Sequence, residues 1–243
     1  MLEYKGFLSK RATLESKYVS ISTCIYGPSR ISRKSIIDSF VVIGYPIRAK
    51  TNKIILQQEE QLPLENLYDK FSTGSIIGEN NHIRPFTTIY ETSKLEDRVE
   101  TGTNVVIRET CNIGQGSIIG SGTILDSGVS IGQNARIQSN NFIPPKIVLG
   151  DNVFLGPGVR FSNDKYPVSN KLIGTKVEDN VIIGIGAILM AGLTIGKNAV
   201  IAAGALITKD VPRNQVMMGV PAKPVMTREE YNQKQQTYEN LGS

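Results

Sequence analysis

The chain has very little histidine and cysteine, and it has no long apolar run. Its 243 residues include one histidine, His82, and two cysteines, Cys24 and Cys111. Two cysteines are too few for a disulfide framework or a cysteine metal cluster, and one histidine excludes a zinc site built from three histidines. No segment approaches the ~18 consecutive apolar residues of a membrane span, and the first residues lack the apolar core of a signal peptide. We therefore expect a cytoplasmic protein that holds no metal.

Acidic residues are fewer than basic ones. The chain has 27 Lys and Arg against 22 Asp and Glu, which gives a formal net charge of +5 and a pI of about 9.1. This balance favours polyanionic partners. The sequence carries no helix-turn-helix pattern, zinc-finger spacing or aromatic-basic RNA motif, so small phosphorylated ligands are favoured over nucleic acid.

An aliphatic residue returns at every sixth position over most of the chain. An α-helix of ~3.6 residues per turn cannot keep a period of six on one face, and one flat strand has a period of two. The period therefore indicates short strands separated by corners. A weaker run extends from Val19 to Ile43, and the pattern resumes from Val177 to Ile207. The main run is Ile77, Ile83, Ile89, Leu95, Thr101, Ile107, Ile113, Ile119, Leu125, Ile131, Ile137, Ile143, Leu149, Leu155 and Phe161.

The residues two positions before these aliphatic residues support the same interpretation. Side chains alternate across a strand, so these positions share the inward face, and they hold small or β-branched residues. Glycine and asparagine occupy the next positions, where corners need a permissive backbone. We predict an all-β, three-sided prism with coils of three six-residue sides, stacked ~4.8 Å apart. A β-sandwich is the alternative, although it would not keep a strict period of six. The inward positions are Ser117, Thr123, Val129, Ala135, Ile147, Val153 and Val159.

Two internal segments and the C-terminus leave the repeat. We assign residues 1–225 to the prism, with an insertion at 45–73 and an external loop at 162–176. Residues 226–243 are predicted to form a C-terminal helix, since Thr227 and Glu230 have the spacing of a capping box. This helix is expected to cover the end of the prism or to pack on a neighbouring subunit.

Three motifs resemble the hexapeptide-repeat acyltransferases, a family with a left-handed parallel β-helix fold. "RIQSNNFIPPKIVLGDNVFLGPGVRFSNDKYP" (136–167) and "TGTNVVIRET" (101–110) are similar to segments of the nucleotide-sugar N-acetyltransferases. "GVPAKPV" (219–225) resembles an ending common to many hexapeptide transferases. The left hand is implied by the resemblance, because chain physics alone favours right-handed crossovers.

The resemblance implies an activity and an assembly. The family's active enzymes are homotrimers that bind acyl-CoA in the groove between adjacent prisms. They transfer the acyl group, usually acetyl, to the amine of a UDP- or dTDP-linked amino sugar. We therefore expect acetyl-CoA as acyl donor, a nucleotide-linked amino sugar as acceptor, and a role in surface-glycan biosynthesis.

The external loop is a candidate wall of the substrate site, because a flat prism face cannot enclose a small ligand. Its side chains offer donors, acceptors, a cation and an aromatic face, which suit a sugar and its diphosphate. The alternative is a tolerated surface insertion. The candidates are Asn163, Asp164, Lys165 and Tyr166.

Coenzyme A is expected along the later coils. Small residues there would let a pantetheine arm approach the backbone, and basic residues nearby could meet its phosphates. A solvated basic end of the prism is the alternative for the charged residues. The small candidates are Gly184, Gly186, Ala202 and Ala203, and the basic ones are Lys209, Arg213 and Lys223.

The proton acceptor is the least defined part of the site. Relatives that match "TGTNVVIRE" carry histidine where this chain has Thr103, and His82 is predicted to point outward from the prism. Residues 18 apart should lie on successive coils, which stacks Glu91 on Glu109 and predicts that each carboxylate raises the pKa of the other. Glu109 is therefore a candidate base, and a structural charge ladder is the alternative.

The same 18-residue register places Tyr90 against Arg108, with Asp126 one coil further. Tyr90, Arg108 and Arg84 are candidate substrate-binding residues. Arg108 would oppose the mutual effect of the two carboxylates.

Asn104 and Asn140 share an edge two coils apart, and either could donate to an oxyanion or orient the sugar. We list Thr103 with them as a catalytic candidate. Asn141 falls on an inward position and must find internal hydrogen bonds. Catalysis by alignment alone is the alternative to a base, because orientation contributes roughly 7–11 kcal/mol and a thiolate leaving group can accept the proton.

Two other functions stay open at this point. O-acetylation of a sugar or a serine-like hydroxyl needs a stronger base than N-acetylation does. A non-catalytic β-helix scaffold would keep the prism and lack the site. A β-helical carbonic anhydrase is excluded, since it needs three histidines.

Overall fold

The chain folds into a three-sided parallel β-helix, as the period of six predicts. A computed structural model describes residues 6–56 and 62–241. Over these residues the strands form three sheets of nine, ten and nine strands. The chain passes from sheet 1 to sheet 2 to sheet 3 and returns to sheet 1 in each coil, and the prism is left-handed with hexapeptide sides.

Most strands are two residues long. Sheet 1 contains Thr13–Leu14, Arg30–Ile31, Ile76–Ile77, Lys94–Leu95, Asn112–Ile113, Ser130–Ile131, Val148–Leu149, Lys176–Val177 and Thr194–Ile195. Sheet 2 contains Ile36–Ile37, His82–Ile83, Glu100–Thr101, Ile118–Ile119, Arg136–Ile137, Phe154–Leu155, Ile182–Ile183, Val200–Ile201, Gln215–Gly219 and Ala222–Thr227. Sheet 3 contains Cys24–Ile25, Val42–Tyr45, Thr88–Tyr90, Val106–Ile107, Ile124–Leu125, Phe142–Ile143, Arg160–Phe161, Ile188–Leu189 and Leu206–Ile207.

Between Val19 and Ile207 the coils are in register at a spacing of 18 residues wherever no insertion intervenes, and the spacing shortens to 17 at the first coil and 16 at the last. Ile107 pairs with Ile89 on one side and with Leu125 on the other, both in parallel. The aliphatic residues of the main run are buried in one continuous core, and Thr101 is buried among them. The positions two residues earlier, from Ser117 to Val159, are buried as well. The predicted inward pattern is therefore confirmed.

Asn141 is the polar exception on the inward face. Its Nδ2 donates to the backbone oxygens of Gln138 at 2.6 Å and Gly156 at 3.2 Å. Its Oδ1 is buried and has no hydrogen-bond partner. The expected internal hydrogen bonds are thus present for one end of the amide only.

Three corners connect the sheets, and we name them by their order in a coil. Residues 132–135 form a first corner between sheets 1 and 2, and residues 138–141 form a second corner between sheets 2 and 3. Residues 144–147 form a third corner, which returns to sheet 1. The insertion and the external loop both leave the prism at the third corner, five coils apart along sheet 3.

The insertion at 45–73 contains two helices, for which no secondary structure was predicted, and its residues 57–61 lie outside the described part of the chain. It contains helix α1 (Arg48–Leu56) and helix α2 (Leu64–Phe71). In α2 the residues Leu64, Leu67, Tyr68 and Phe71 have the spacing of an amphipathic helix. The ring of Tyr68 packs edge-on against the rings of Tyr26 and Tyr45, which attaches α2 to the third corner. Local periodicity was therefore present in a segment that the six-residue pattern led us to leave unassigned.

The C-terminus adds a hairpin that the repeat did not predict. Strand Gln215–Gly219 joins sheet 2 in parallel, and strand Ala222–Thr227 returns antiparallel to it. Helix α3 (Arg228–Asn240) follows, and the predicted capping box of Thr227 and Glu230 is present at its start. No helix within residues 6–56 and 62–241 is long and apolar enough to cross a bilayer.

A charge in the core tests the stacking. Ile131→Asp places an unpaired carboxylate at a position that is 3% exposed. We expect the free energy of unfolding to fall by several kcal/mol, a large part of the ~5–15 kcal/mol of a typical domain. Thermal unfolding followed by circular dichroism measures the change. Ser130→Asp, one residue earlier on the outward face, is the control, and equal effects of both variants would contradict the inward assignment.

Candidate functional site

The second corner carries a column of residues in the left-handed backbone conformation. Their φ angles lie between 56° and 68°. The side chains change along the column from aromatic at its N-terminal end, through asparagine and glycine, to glycine alone at its C-terminal end. The column consists of Phe40, Phe86, Asn104, Gly122, Asn140, Gly158, Gly186 and Gly204.

The middle of this column is polar and open to solvent. Thr103, Asn104 and Asn140 are exposed, and the Thr103 hydroxyl donates to the Ser121 hydroxyl at 3.4 Å. The Asn140 carbonyl oxygen accepts from Nη1 of Arg160 at 2.7 Å. The structure therefore places all three candidates on one edge, and it adds Ser121, which the 18-residue register could have identified.

The glycine end of the column leaves space beside the backbone. A Cβ built on Gly158, Gly186 or Gly204 would have no atom within 4 Å. This part of the second corner is therefore an open strip, in which backbone groups can be approached closely.

Beside the strip, a cavity of about 500 Å³ lies between sheet 2 and helix α3. Gly184, Ala202 and Ala203 line it together with Tyr231 and Tyr238 of the helix. The four small coenzyme candidates thus lie together, three in the cavity and Gly186 in the adjoining strip.

The three basic coenzyme candidates do not form one cluster. Lys209 and Lys223 line a cavity of about 400 Å³ at the C-terminal end of the prism. Arg213 lines a different cavity of about 850 Å³, beside Asn198 and Arg228. A single phosphate group cannot meet all three at once.

The third corner carries the charged candidates. The guanidinium of Arg108 lies 4.9 Å from the ring centre of Tyr90, which confirms the predicted stacking. It donates to both carboxylate oxygens of Glu109, at 3.0 and 3.2 Å, and lies 3.7 Å from Asp126. The hydrogen bonds to Glu109 raise the pKa of Arg108. Glu109 is therefore a carboxylate whose two oxygens are already held by a cation.

Glu91 does not pair with Glu109, and our prediction for its pKa is wrong. Its side chain is 1% exposed and faces the insertion. It accepts from Nζ of Lys50 at 2.6 Å, from the backbone of Ile47 at 3.0 Å, and from both the backbone and hydroxyl of Thr73. Burial by itself would raise the pKa of Glu91, but these hydrogen bonds lower it overall. Glu91 holds both ends of the insertion.

Some polar groups of the external loop form hydrogen bonds within the loop. The carboxylate of Asp164 accepts from the backbone of Tyr166 at 3.0 Å and of Ser169 at 2.9 Å, and the carbonyl of Asn163 accepts from Ile173 at 2.9 Å. Lys165 lies 5.9 Å from the ring centre of Tyr166, whose side chain is 76% exposed. Of the four candidates on the loop, Lys165 and Tyr166 are therefore the exposed ones.

The catalytic and substrate-binding candidates thus divide between two corners of the same chain. Arg84 belongs to the second corner, where it donates to the carbonyl of Thr101 at 3.0 Å and lies 3.5 Å from Glu100. Tyr90, Arg108, Glu109 and the external loop belong to the third corner. Sheet 3 separates the two groups, so one prism cannot bring them together. His82 faces outward from sheet 2 as predicted, and its Nε2 lies 2.9 Å from Asp38.

Two segments match known repeat families. Residues 105–144 match the hexapeptide repeat of succinyl-transferase, and residues 174–209 match the bacterial transferase hexapeptide of six repeats. Both segments lie in the prism. Together they include Ser121 and Asn140 of the polar middle and Gly186 and Gly204 of the glycine end, whereas Thr103 and Asn104 lie just before the first segment.

Curated relatives resemble a part of the chain. The galactoside O-acetyltransferase of Lactococcus lactis is 41% identical over 85 residues, which cover 31% of this chain and 40% of that protein. The 2,3,4,5-tetrahydropyridine-2,6-dicarboxylate N-acetyltransferase of Staphylococcus aureus is 40% identical over 76 residues, 31% of each protein. The matches therefore span less than half the length of these relatives.

A solved structure resembles nearly the whole chain. The UDP-N-acetylglucosamine acyltransferase of Francisella novicida has a TM-score of 0.51 at 19% identity, over 95% of this chain and 71% of that one. At this identity the likeness concerns the fold.

The anchoring role of Glu91 can be tested by pH. Its pKa in the folded chain is below the ordinary value of 4.5. The stability that it contributes is therefore fully present above about 4.5 and is lost as the pH falls below that value. Glu91→Gln should lower the free energy of unfolding near pH 7 by about 1–3 kcal/mol and make its loss in acid less steep.

Denaturant unfolding between pH 3 and 7, with limited proteolysis of the insertion, measures both effects. Glu15→Gln is the control, because Glu15 pairs with Arg33 at 3.4 Å on an exposed surface. The anchoring role is contradicted if the insertion is cleaved at the same rate in all three proteins.

Proposed function

We propose that this chain, a hexapeptide-repeat protein, is an acyl-CoA-dependent N-acyltransferase that acetylates the amine of a nucleotide-linked amino sugar. The observation that carries the proposal is the second corner, where exposed Thr103, Asn104 and Asn140 continue into the open glycine strip. Acetyltransferases resemble parts of the chain, and the motifs at 101–110 and 136–167 resemble those of nucleotide-sugar N-acetyltransferases. A cytoplasmic homotrimer that supplies surface-glycan synthesis belongs to the same proposal.

The proposed coenzyme position follows from the space beside the column. The pantetheine arm lies along Gly158, Gly186 and Gly204, where no side chain blocks the backbone, and the cavity lined by Gly184, Ala202 and Ala203 receives an adjacent part of the coenzyme. Lys209 and Lys223 share one end cavity and Arg213 lines another, so no single phosphate group of the coenzyme meets all three residues.

The reaction forms a C–N bond and breaks the C–S bond of the thioester. The neutral amine attacks the thioester carbonyl, the tetrahedral oxyanion collapses, and the coenzyme leaves as a thiolate that takes up the proton released by nitrogen. Asn104 and Asn140 offer amide donors on the edge where the oxyanion forms. Thr103 and Ser121 are weak bases, so alignment of the two substrates supplies most of the rate, up to roughly 7–11 kcal/mol.

O-acetylation is the second candidate function. The similarity to a galactoside O-acetyltransferase favours it. A hydroxyl must lose its proton as it attacks, and it therefore needs a strong base. Among residues 6–56 and 62–241 the one histidine, His82, lies on sheet 2 in the coil before that of Thr103 and Asn104, and its Nε2 lies 2.9 Å from the carboxylate of Asp38. This geometry favours the amine as acceptor.

Release of free thiol from acetyl-CoA tests the function. The acceptors are UDP- and dTDP-linked 3-amino and 4-amino sugars, with galactosides as hydroxyl acceptors. We expect thiol release with an amino sugar and none with galactosides. Thiol release with galactosides alone would contradict N-acylation and support O-acylation. Absence of both turnover and coenzyme binding would indicate a scaffold.

Asn140→Gly tests the oxyanion role within that assay. Glycine accepts the positive φ of 60°, so the fold should be retained. We expect the turnover number to fall by about 10²–10³-fold. Asn134→Gly is the matched control, since Asn134 has a φ of 53° at the first corner. Equal turnover numbers in the two variants would contradict a catalytic role of Asn140.

Glu109→Gln tests whether the third corner takes part. Glu109 lies at the third corner, and sheet 3 separates it from the second corner of the same chain. Glu109 can therefore act as a base only on substrate bound to a neighbouring prism. If it does, turnover should fall while coenzyme affinity is unchanged. Steady-state kinetics and calorimetry with coenzyme A separate the two effects, and wild-type turnover in the variant would exclude Glu109 as the base.

A further inference from the structure

Two exposed phenylalanine rings stack at the N-terminal end of the second corner. Phe40 and Phe86 occupy the same column on successive coils, and their rings are 5.3 Å apart at an interplanar angle of 5°. Phe86 is 58% exposed and Phe40 is 47% exposed. The next residue of the column is Asn104, at the edge of the polar middle. A flat aromatic surface therefore adjoins the proposed acyl-transfer site.

The fold does not require these aromatic residues. The column position has a positive φ, of 61° at Phe40 and 63° at Phe86, and later coils fill it with asparagine or glycine. A bulky side chain in this conformation is strained, and an exposed ring gains little from burial. Two successive coils nevertheless carry phenylalanine. The pair has the properties of a binding surface for another planar ring.

We propose that the exposed ring of Phe86, supported by Phe40, binds the base of a nucleoside diphosphate. The inference rests on the proposed function, because it assigns a position to the nucleotide of the acceptor. Aromatic side chains stack on nucleic-acid bases through their π faces with little dependence on which base is present. The site therefore selects a nucleotide-linked acceptor over a free sugar.

Arg84 provides the cation that a diphosphate needs. It precedes Phe86 by two residues in the same corner, and its side chain is 40% exposed. Its pairing with Glu100 is long, at 3.5 Å, so the guanidinium can exchange this partner for phosphate oxygens. Arg84 thereby keeps the substrate-binding role predicted from the sequence, with the diphosphate as its partner.

The distance along the column from the aromatic pair to Asn140 is one that a nucleoside diphosphate with its sugar can span. Phe86 and Asn140 are three coils apart, about 14 Å at ~4.8 Å per coil. The side chains between them, Thr103, Asn104 and Ser121, are short and polar. A nucleotide with its base at Phe86 would extend its sugar toward Asn140. The acyl-coenzyme would approach from the glycine strip at the opposite end, which places both substrates in line on one corner.

Binding of the nucleotide alone tests the proposal. Titration calorimetry of the full chain with UDP and with dTDP measures the affinity of wild type and of Phe86→Asn. Asparagine suits this backbone position, as Asn104 shows one coil later, so the variant should fold. We expect binding about 5- to 150-fold weaker in Phe86→Asn, the range for one stacked base, with coenzyme A binding unchanged. Tyr18→Ser, which removes a 63% exposed ring elsewhere, is the control and should bind as wild type.

A fluorescent variant gives a second readout. The chain contains no tryptophan, so Phe86→Trp introduces a single indole at the site and preserves a stacking surface. We expect UDP or dTDP to quench this indole, and we expect no quenching in Tyr18→Trp. Equal affinities of wild type and Phe86→Asn, an unquenched indole, or no binding of either nucleotide by wild type would overturn the proposal. A change of oligomeric state in Phe86→Asn at unchanged nucleotide affinity would also overturn it, and would indicate contact with a second copy.

The thiol assay separates this inference from the proposed function. If acyl transfer to a nucleotide-linked sugar has the same rate and KM in wild type and in Phe86→Asn, the proposed activity is supported and the proposed aromatic site is contradicted. If nucleotide binding depends on Phe86 and no acceptor is acylated, the proposed aromatic site is supported and the proposed activity is contradicted.

Discussion

The parallel hydrogen-bond ladder between coils, repeated every 18 residues, governs the rest of the molecule. Ile107 lies between Ile89 and Leu125 because the backbone of each coil bonds to the coils before and after it. The ladder requires strands of equal length and corners of equal shape. Most corners therefore have a position of positive φ, and each inward position must be filled by a side chain that fits a narrow dry interior. Composition follows from these two demands, since asparagine and glycine serve the corners and aliphatic residues fill the core.

The ladder also explains how a rigid prism can carry chemistry. Outward side chains at the corners make few contacts with the core, so a column can change its character along the prism without disturbing the fold. The second corner changes from aromatic at Phe86 to polar at Asn140 and to open glycine at Gly204. These three zones match the parts of the proposed reaction, namely a nucleotide, an amine beside a thioester, and a coenzyme. A linear arrangement of substrates follows from the linear arrangement of coils.

Departures from the repeat occur where the ladder tolerates them. Both excursions leave from the third corner, between strands, so the coils on either side still pair directly. The insertion is then attached by polar anchors. The buried carboxylate of Glu91 accepts hydrogen bonds at both ends of the insertion, and the carboxylate of Asp69 accepts one from the backbone of Gly27 at 2.7 Å. Burying such a carboxylate without partners would be unfavourable, which explains why Glu91 is surrounded by donors.

Residue spacing was sufficient to predict the prism, its register, the inward residues and the capping box at Thr227, because each of these features depends on a local spacing. It also correctly paired Tyr90 with Arg108. Three features became known from the folded chain alone. Glu91 turns toward Lys50 and away from Glu109, the insertion forms α1 and α2, and Lys209 and Arg213 lie in different cavities. Register states which residues are neighbours in a column, but the direction of a side chain depends on the partners that surround it. Those partners come from segments outside the repeat, and no period in the sequence specifies where they pack.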